Sequence, residues 1–237
     1  MSDNCAPRPT TSAAVDVVPL GARSEDIVKR GDHALFGVST GNGYFTRRRL
    51  AEVVSWAAAH FAVVDVIHAD LYLDTMCEAL GYGRADARRS AAKQLRGVRR
   101  RIQGALEDIG GTAERVRARP LSAFVDEPAY REVRTRTREA LRTDVELRGI
   151  RDAMAHQFLA KRLDAGAFPT VAQVQAALDY VDAELPFFVD SPSILGVPSS
   201  AHCYHAVLGM GRLLFSDRAA GLRPAHNQGY AVVACHD

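Results

Sequence analysis

The chain has 237 residues, 47% of them hydrophobic, with 30 basic against 28 acidic side chains and a net charge of +2. That length and apolar content suit one buried core, and no apolar run approaches the ~20 residues needed to cross a bilayer, which excludes a helical membrane protein. Cys5, Cys77, Cys203 and Cys235 are scattered without a C-x-x-C pair, which argues for a reducing compartment and against a cysteine zinc site.

The first nine residues carry no basic-then-apolar signal pattern, so a cytoplasmic location is expected. Residues 1–30 read as a disordered N-terminal segment and 31–237 as a single domain. Residues 33–39 read as the first strand. The chain there runs Leu35-Phe36-Gly37-Val38-Ser39-Thr40-Gly41-Asn42-Gly43-Tyr44-Phe45, an apolar run breaking into a turn of small residues with a serine at its start. Three readings compete for this segment. Gly37, Gly41 and Gly43 match neither the dinucleotide fingerprint nor a P-loop. Gly37-Val38-Ser39-Thr40-Gly41 fits the G-x-S-x-G elbow of hydrolases, but too few residues precede it for the strands that fold requires. The third reading is an ordinary glycine-rich turn. A hydroxyl at a strand end beside a helix N-terminus is nonetheless well placed to attack an acyl group.

A helix over 47–60 and a buried strand over 61–68 follow, then helices over 70–80 and 84–109. Between Arg84 and Arg101 stand eight basic residues and one acid, Asp86. Ala91, Leu95, Val98, Ile102 and Ala105 recur at helical spacing as the buried stripe, while Arg89, Lys93, Arg96 and Arg100 recur on another face. Such a face suits a phosphate backbone, or is a plain solvated surface. Residues 115–124 read as a strand, 127–163 as two or three helices and 170–184 as another. In that last helix Tyr180 and Glu184 are four apart and share a face at the flank of the apolar stripe. A phenol and a carboxylate so placed suit an ammonium group, or form a surface pair. A short strand is expected over 200–206. It contains His202-Cys203-Tyr204-His205, where i and i+3 face opposite sides and disfavour a metal site, and where Cys203 is an alternative nucleophile. Residues 217–229 read as mobile, and 230–235 have no assignable role. Strands alternating with helices predict an α/β sandwich with a parallel sheet, its site at the carboxyl ends of the strands.

Gly37-x-Ser39-x-x-Asn42-x-Tyr44-Phe45, Tyr180-x-x-x-Glu184-Leu185-Pro186, Ser191-Pro192-Ser193 and Tyr204-His205, in this order, resemble the cyclodipeptide synthases, which join two aminoacyl-tRNA residues into a 2,5-diketopiperazine. Asn42 with Tyr204-His205 resembles the subfamily named for Asn, Tyr and His. The resemblance spans residues 33–215. It implies a Rossmann-like α/β domain similar to the catalytic domains of class I tyrosyl- and tryptophanyl-tRNA synthetases. No ATP and no metal are implied, because an aminoacyl ester is already activated. Ser39 becomes the nucleophile of a ping-pong reaction. Gly37 lets substrate approach closely, Tyr180 and Glu184 hold the α-ammonium, Tyr204 positions or relays protons, and Asn42 and His205 orient the serine loop. Leu35, Ile67, Phe187 and His202 are expected to line the first aminoacyl pocket. Met154, Lys161 and Arg162 are expected at the second, where two cations would suit glutamate. Arg89, Lys93, Arg96 and Arg100 are expected to meet tRNA. Partners are two aminoacyl-tRNAs, with no DNA or membrane, and a monomer suffices. A serine hydrolase and a non-catalytic tRNA-binding module are the alternatives.

Overall fold

The computed structural model describes residues 15–216 and 220–235. In chain order its elements are β1 (Val15–Pro19), α1 (Gly21–Arg30), β2 (His33–Val38), α2 (Arg47–His60), β3 (Val63–His68), α3 (Leu73–Ala79), α4 (Arg84–Ile109), β4 (Val116–Pro120), α5 (Pro128–Thr143), α6 (Val145–Ala160), α7 (Val171–Leu195), β5 (Ser200–Tyr204), α8 (Gly209–Leu214) and β6 (Gln228–Cys235). The strands form one six-stranded sheet in the order β1-β6-β5-β2-β3-β4. All neighbours are parallel except β1 with β6. Helices cover both faces of the sheet, the expected α/β layering.

The strand order locates the site. From β2 the chain steps one way to β3 and β4, whereas β5 and β6 lie on the other side of β2. The connections therefore diverge at the β2–β5 seam, and in open α/β sheets that divergence opens a crevice beyond the strand ends. β2 delivers Ser39 there and β5 delivers Tyr204. The register aligns Leu35 with His202 and Phe36 with Cys203, so both strands end together.

Below the crevice the seam is tied by polar groups where strands begin. His33 Nδ1 lies 2.8 Å from Ser200 Oγ and its Nε2 lies 3.0 Å from Asp65 Oδ2. Arg117 and Arg119 close on the same carboxylate. Burial opposes the charge of Asp65, but the hydrogen bonds and the two guanidiniums outweigh it and hold its pKa below the ordinary value. Serine, histidine and aspartate here are fully buried, away from the crevice, and serve as a structural brace.

Three expectations need correction. Residues 15–30, read as disordered, form β1 and α1, and residues 1–14 lie outside the described region. β1 pairs with β6, more than 200 residues away, so no local pattern announces it. Of residues 217–229, read as mobile, 217–219 are not described, whereas Gln228 and Gly229 belong to β6 and the Gln228 side chain accepts from Ser191 N and Oγ. The helix expected to stop at 184 continues through Pro186 to Val189, and a second helical segment completes α7 as far as Leu195. Asp190 breaks the helix with φ −157° and ψ 61°, and its Oδ1 accepts from Ser193 N at 3.2 Å, capping a second helical segment with Pro192 in its first turn.

Candidate active site

Ser39 follows the last residue of β2, and the loop after it is pinned from three sides. Thr40 Oγ1 donates to Ala69 O at 2.6 Å. Arg162, just past the end of α6, donates from Nη2 to Thr40 O at 3.1 Å and from Nη1 to Phe158 O at 2.9 Å. Gly41 then turns the chain with φ +82°, a conformation open to glycine at little cost. That turn brings Asn42 N to Ser39 O at 3.3 Å. Asn42 is the knot of the loop: its Oδ1 accepts from Tyr44 N at 3.0 Å, and its Nδ2 donates to Tyr204 Oη at 3.0 Å and His205 Nε2 at 3.1 Å. Tyr44 stacks on His205 with centroids 4.0 Å apart, and Cys235 N donates to Tyr44 Oη at 3.3 Å. The C-terminal strand, without an assigned role from sequence, thus braces the serine loop.

These bonds fix protonation. An imidazole nitrogen that accepts from an amide carries no proton. Burial and the nearby Lys161 charge lower the His205 pKa, so the ring is neutral with its Nε2 lone pair already used. With that lone pair bonded to Asn42, Nε2 is not free to take a proton from a neighbouring group.

α7 supplies Tyr180 and Glu184 one turn apart on the face that overlooks Ser39. Burial raises the Glu184 carboxyl to about 7, the facing Tyr180 phenol pulling the other way. Burial and the Glu184 charge push Tyr180 well above its ordinary value. The Tyr180 hydroxyl is buried near Ser39, the Thr40 backbone and Glu184, and it makes no hydrogen bond of good geometry to any described residue. A buried phenol and a carboxylate whose ionisation burial opposes form a site that a hydrogen-bond donor carrying positive charge would satisfy.

Two pockets meet at Ser39. The first lies between the sheet and α7 and is lined by all four predicted residues, Leu35, Ile67, Phe187 and His202. Gly37 also lines it, and a Cβ there would project into it, 3.8 Å from His202 Nε2. The second is wider, opens toward α6 and includes the predicted Met154, Lys161 and Arg162. Ser39, Glu184, Tyr204 and Leu208 line both. Lys161 is exposed, but Arg162 lies flat over Phe158, its carbon 3.5 Å from the ring centroid, with two nitrogens on backbone carbonyls. Arg162 therefore clamps the serine loop to α6, which weakens its case as a receptor for a glutamate side chain.

Arg89, Lys93, Arg96 and Arg100 are all exposed on α4. Arg89 pairs with Asp86, whereas the other three form no ion pair among the described residues. Sequence reasoning missed several residues. Leu121, Phe188 and Leu208 complete the first pocket, and Phe158 the second. Arg101 reaches from α4 to a hollow beside Gly41, Asn42 and Gly43, its Nε buried without a partner among the described residues. Only Phe188, adjacent to Phe187, carried a signal. Burial raises the Cys203 thiol far above its ordinary value, which removes it as a nucleophile. Among the described residues no three His, Cys, Asp or Glu side chains gather as metal ligands, and no helix is long and apolar enough to cross a membrane.

The family model for cyclodipeptide synthases matches residues 15–235. The chain is 37% identical over 227 residues to the cyclo(L-tyrosyl-L-tyrosyl) synthase of Mycobacterium tuberculosis, covering 96% of this chain and 78% of that one. It is 39% identical over 214 residues to the cyclo(L-leucyl-L-phenylalanyl) synthase of Streptomyces noursei, covering 90% and 89%. A solved Mycobacterium tuberculosis structure, which demonstrates that such enzymes are related to type I tRNA synthetases, superposes with a TM-score of 0.82 at 36% identity over 99% of each chain. A serine at the seam of a Rossmann-like sheet, facing a phenol and a carboxylate between two pockets, is thus accompanied by likeness along the whole described chain, and the chain belongs to the cyclodipeptide synthase family.

Proposed function

We propose that this protein makes a cyclic dipeptide from two aminoacyl-tRNAs in a ping-pong reaction on Ser39. The observation that carries this reading is the position of Ser39 at the junction of two pockets, each also lined by Glu184 and Tyr204. A hydrolase needs one acyl pocket and a water; a transferase that holds one acyl group while receiving another needs two.

In the first half-reaction the Ser39 hydroxyl attacks the ester carbonyl of the first aminoacyl-tRNA, whose ribose oxygen leaves with the proton. The aminoacyl side chain occupies the first pocket. Its α-ammonium lies between Glu184 and Tyr180, ionising the carboxyl and giving the unpartnered phenol oxygen a donor. The α-amine of the second aminoacyl-tRNA, its side chain in the wider pocket, then attacks the Ser39 ester. Ser39 regains its proton, and the dipeptide, still esterified to the second tRNA, transfers to Ser39 with loss of that tRNA. The dipeptide's free amine finally attacks the new Ser39 ester, which closes the ring and releases the hydroxyl. Tyr204, faced by Ser39 and held by Asn42, positions the reacting groups. The free cations of α4, with Arg101 nearer the loop, hold tRNA phosphates. No step calls for ATP or a metal.

The test is mass spectrometry of the purified protein mixed with aminoacyl-tRNAs. Expected is an aminoacyl adduct, lost in Ser39→Ala, and a diketopiperazine in the medium of expressing bacteria. An adduct that persists in Ser39→Ala, or a folded wild type that yields neither adduct nor product, would overturn the reading.

A further inference from the structure

Away from the Ser39–Glu184–Tyr204 mouth, the first pocket is walled by carbon: Leu35, Ile67, Ala69, Leu121, Phe187 and Phe188. His202 is the exception. Its ring stacks on Phe188 with centroids 4.3 Å apart and lies near-parallel to Tyr230 at 5.6 Å, so its plane is fixed. Its Nδ1 lies 3.4 Å from Phe187 O. A carbonyl only accepts, so Nδ1 carries the proton and Nε2 is a bare acceptor. Nε2 faces the hollow left by Gly37 and has no hydrogen bond among the described residues. Burial pushes the ring's pKa down to about 4, so no second proton fills Nε2 at neutral pH.

We propose that His202 Nε2 selects a tyrosyl group as the first aminoacyl substrate by accepting a hydrogen bond from its phenol. This inference rests on the function proposed above. An acceptor at the bottom of an apolar pocket asks for a long apolar side chain with a donor at its far end. Leucine, methionine and phenylalanine bring no donor. Serine and threonine carry theirs too close to the ester, and ionised glutamate or aspartate would set acceptor against acceptor. Gly37 stands two residues below Ser39 on the strand, roughly 6–7 Å at the usual rise, a span suited to an aromatic ring and its hydroxyl. A phenylalanyl group would leave Nε2 desolvated and unpaired, and sites built to hydrogen-bond a substrate hydroxyl discriminate strongly against the analogue that lacks it.

The experiment is the rate of Ser39 acylation by the purified full-length protein, with tyrosyl-, phenylalanyl-, leucyl- and tryptophanyl-tRNA supplied separately. Expected is a tyrosyl preference over phenylalanyl of about 10–100-fold, the range set by one unpaired buried acceptor. In His202→Leu the two rates converge to within about threefold while phenylalanyl loading persists, and His202→Gln, which keeps an acceptor, retains part of the preference. The wild-type comparison needs no variant to fold. Loading of phenylalanyl, leucyl or tryptophanyl groups as fast as tyrosyl would overturn the inference and leave the proposed function standing. A tyrosyl preference unchanged in His202→Leu would overturn it too. Loading from none of the four would overturn the proposed function, and this inference with it.

Discussion

Replacing Tyr180 by phenylalanine should move stability and activity in opposite directions. The hydroxyl is buried and makes no hydrogen bond of good geometry to any described residue, and a buried unsatisfied polar group costs about 1–3 kcal/mol. Tyr180→Phe removes that cost, leaves only an oxygen-sized gap beside Ser39 and Thr40, and keeps the ring stacked on Phe158 at 4.5 Å. The net gain should be about 1 kcal/mol, which for a domain of this size raises Tm by roughly 2–4 °C. In the first half-reaction the same oxygen accepts a charge-assisted hydrogen bond from the α-ammonium, worth about 1.5–3 kcal/mol, so acylation should slow by roughly 10–150-fold. Thermal melts followed by circular dichroism, with acylation rates on the same preparations, check both signs. A variant that melts lower than the wild type would mean the phenol holds the fold together. One that acylates at the wild-type rate would mean it does not touch substrate.

Glu184→Gln should stabilise the protein in a pH-dependent way. The folded carboxyl titrates near 7 against 4.5 when free, so above 4.5 unfolding releases a proton that the fold retains, and the wild type loses stability as pH rises toward 7. The variant should exceed the wild type by up to about 3 kcal/mol at pH 8, with the gap closing below pH 4.5; denaturant melts that show a pH-independent gap would refute the assignment. Asn42→Ala deletes one acceptor and a donor shared by Tyr204 and His205, and should cost about 1–3 kcal/mol of stability together with most of the activity. Retention of full turnover would show that the serine loop orders itself without Asn42. Replacing Lys93, Arg96 and Arg100 together by alanine should weaken tRNA binding and flatten its salt dependence by about 2 in log–log slope, without changing Tm by more than a degree or so. An unchanged slope would move the tRNA to another face.

Much of this molecule was legible locally. The helices over 47–60 and 84–109 matched the expected bounds, because a cap at Thr46 and a helical stripe of Ala91, Val98, Ile102 and Ala105 are written in neighbouring residues. Tyr180 and Glu184 share a face because i and i+4 must. Pro186 inside a continuing helix was misleading, since a proline normally ends one; Phe188 stacked on His202 and Tyr230 of the sheet, and Phe187 packed on Phe124 and Tyr130, hold the helix through it. β1 and β6 were opaque because strand pairing depends on a partner that the sequence places at the other end of the chain.

For the site, the sequence by itself determined the chemistry available: a serine after a strand, a phenol and a carboxylate one helical turn apart, an asparagine and a Tyr-His pair, and an uncompensated run of cations. Helical and strand periodicities fix which of these share a face, and residue types fix what they are able to donate or accept. Only the tertiary structure decided what the groups do to one another. The β2–β5 seam brings residues 162 positions apart to 3.0 Å, as Asn42 and Tyr204 show. Burial then sets Glu184 near 7, leaves the Tyr180 hydroxyl unpaired and turns His202 into a neutral acceptor inside an apolar pocket. Desolvation depends on everything that surrounds a group, and that surrounding exists only once the chain has folded.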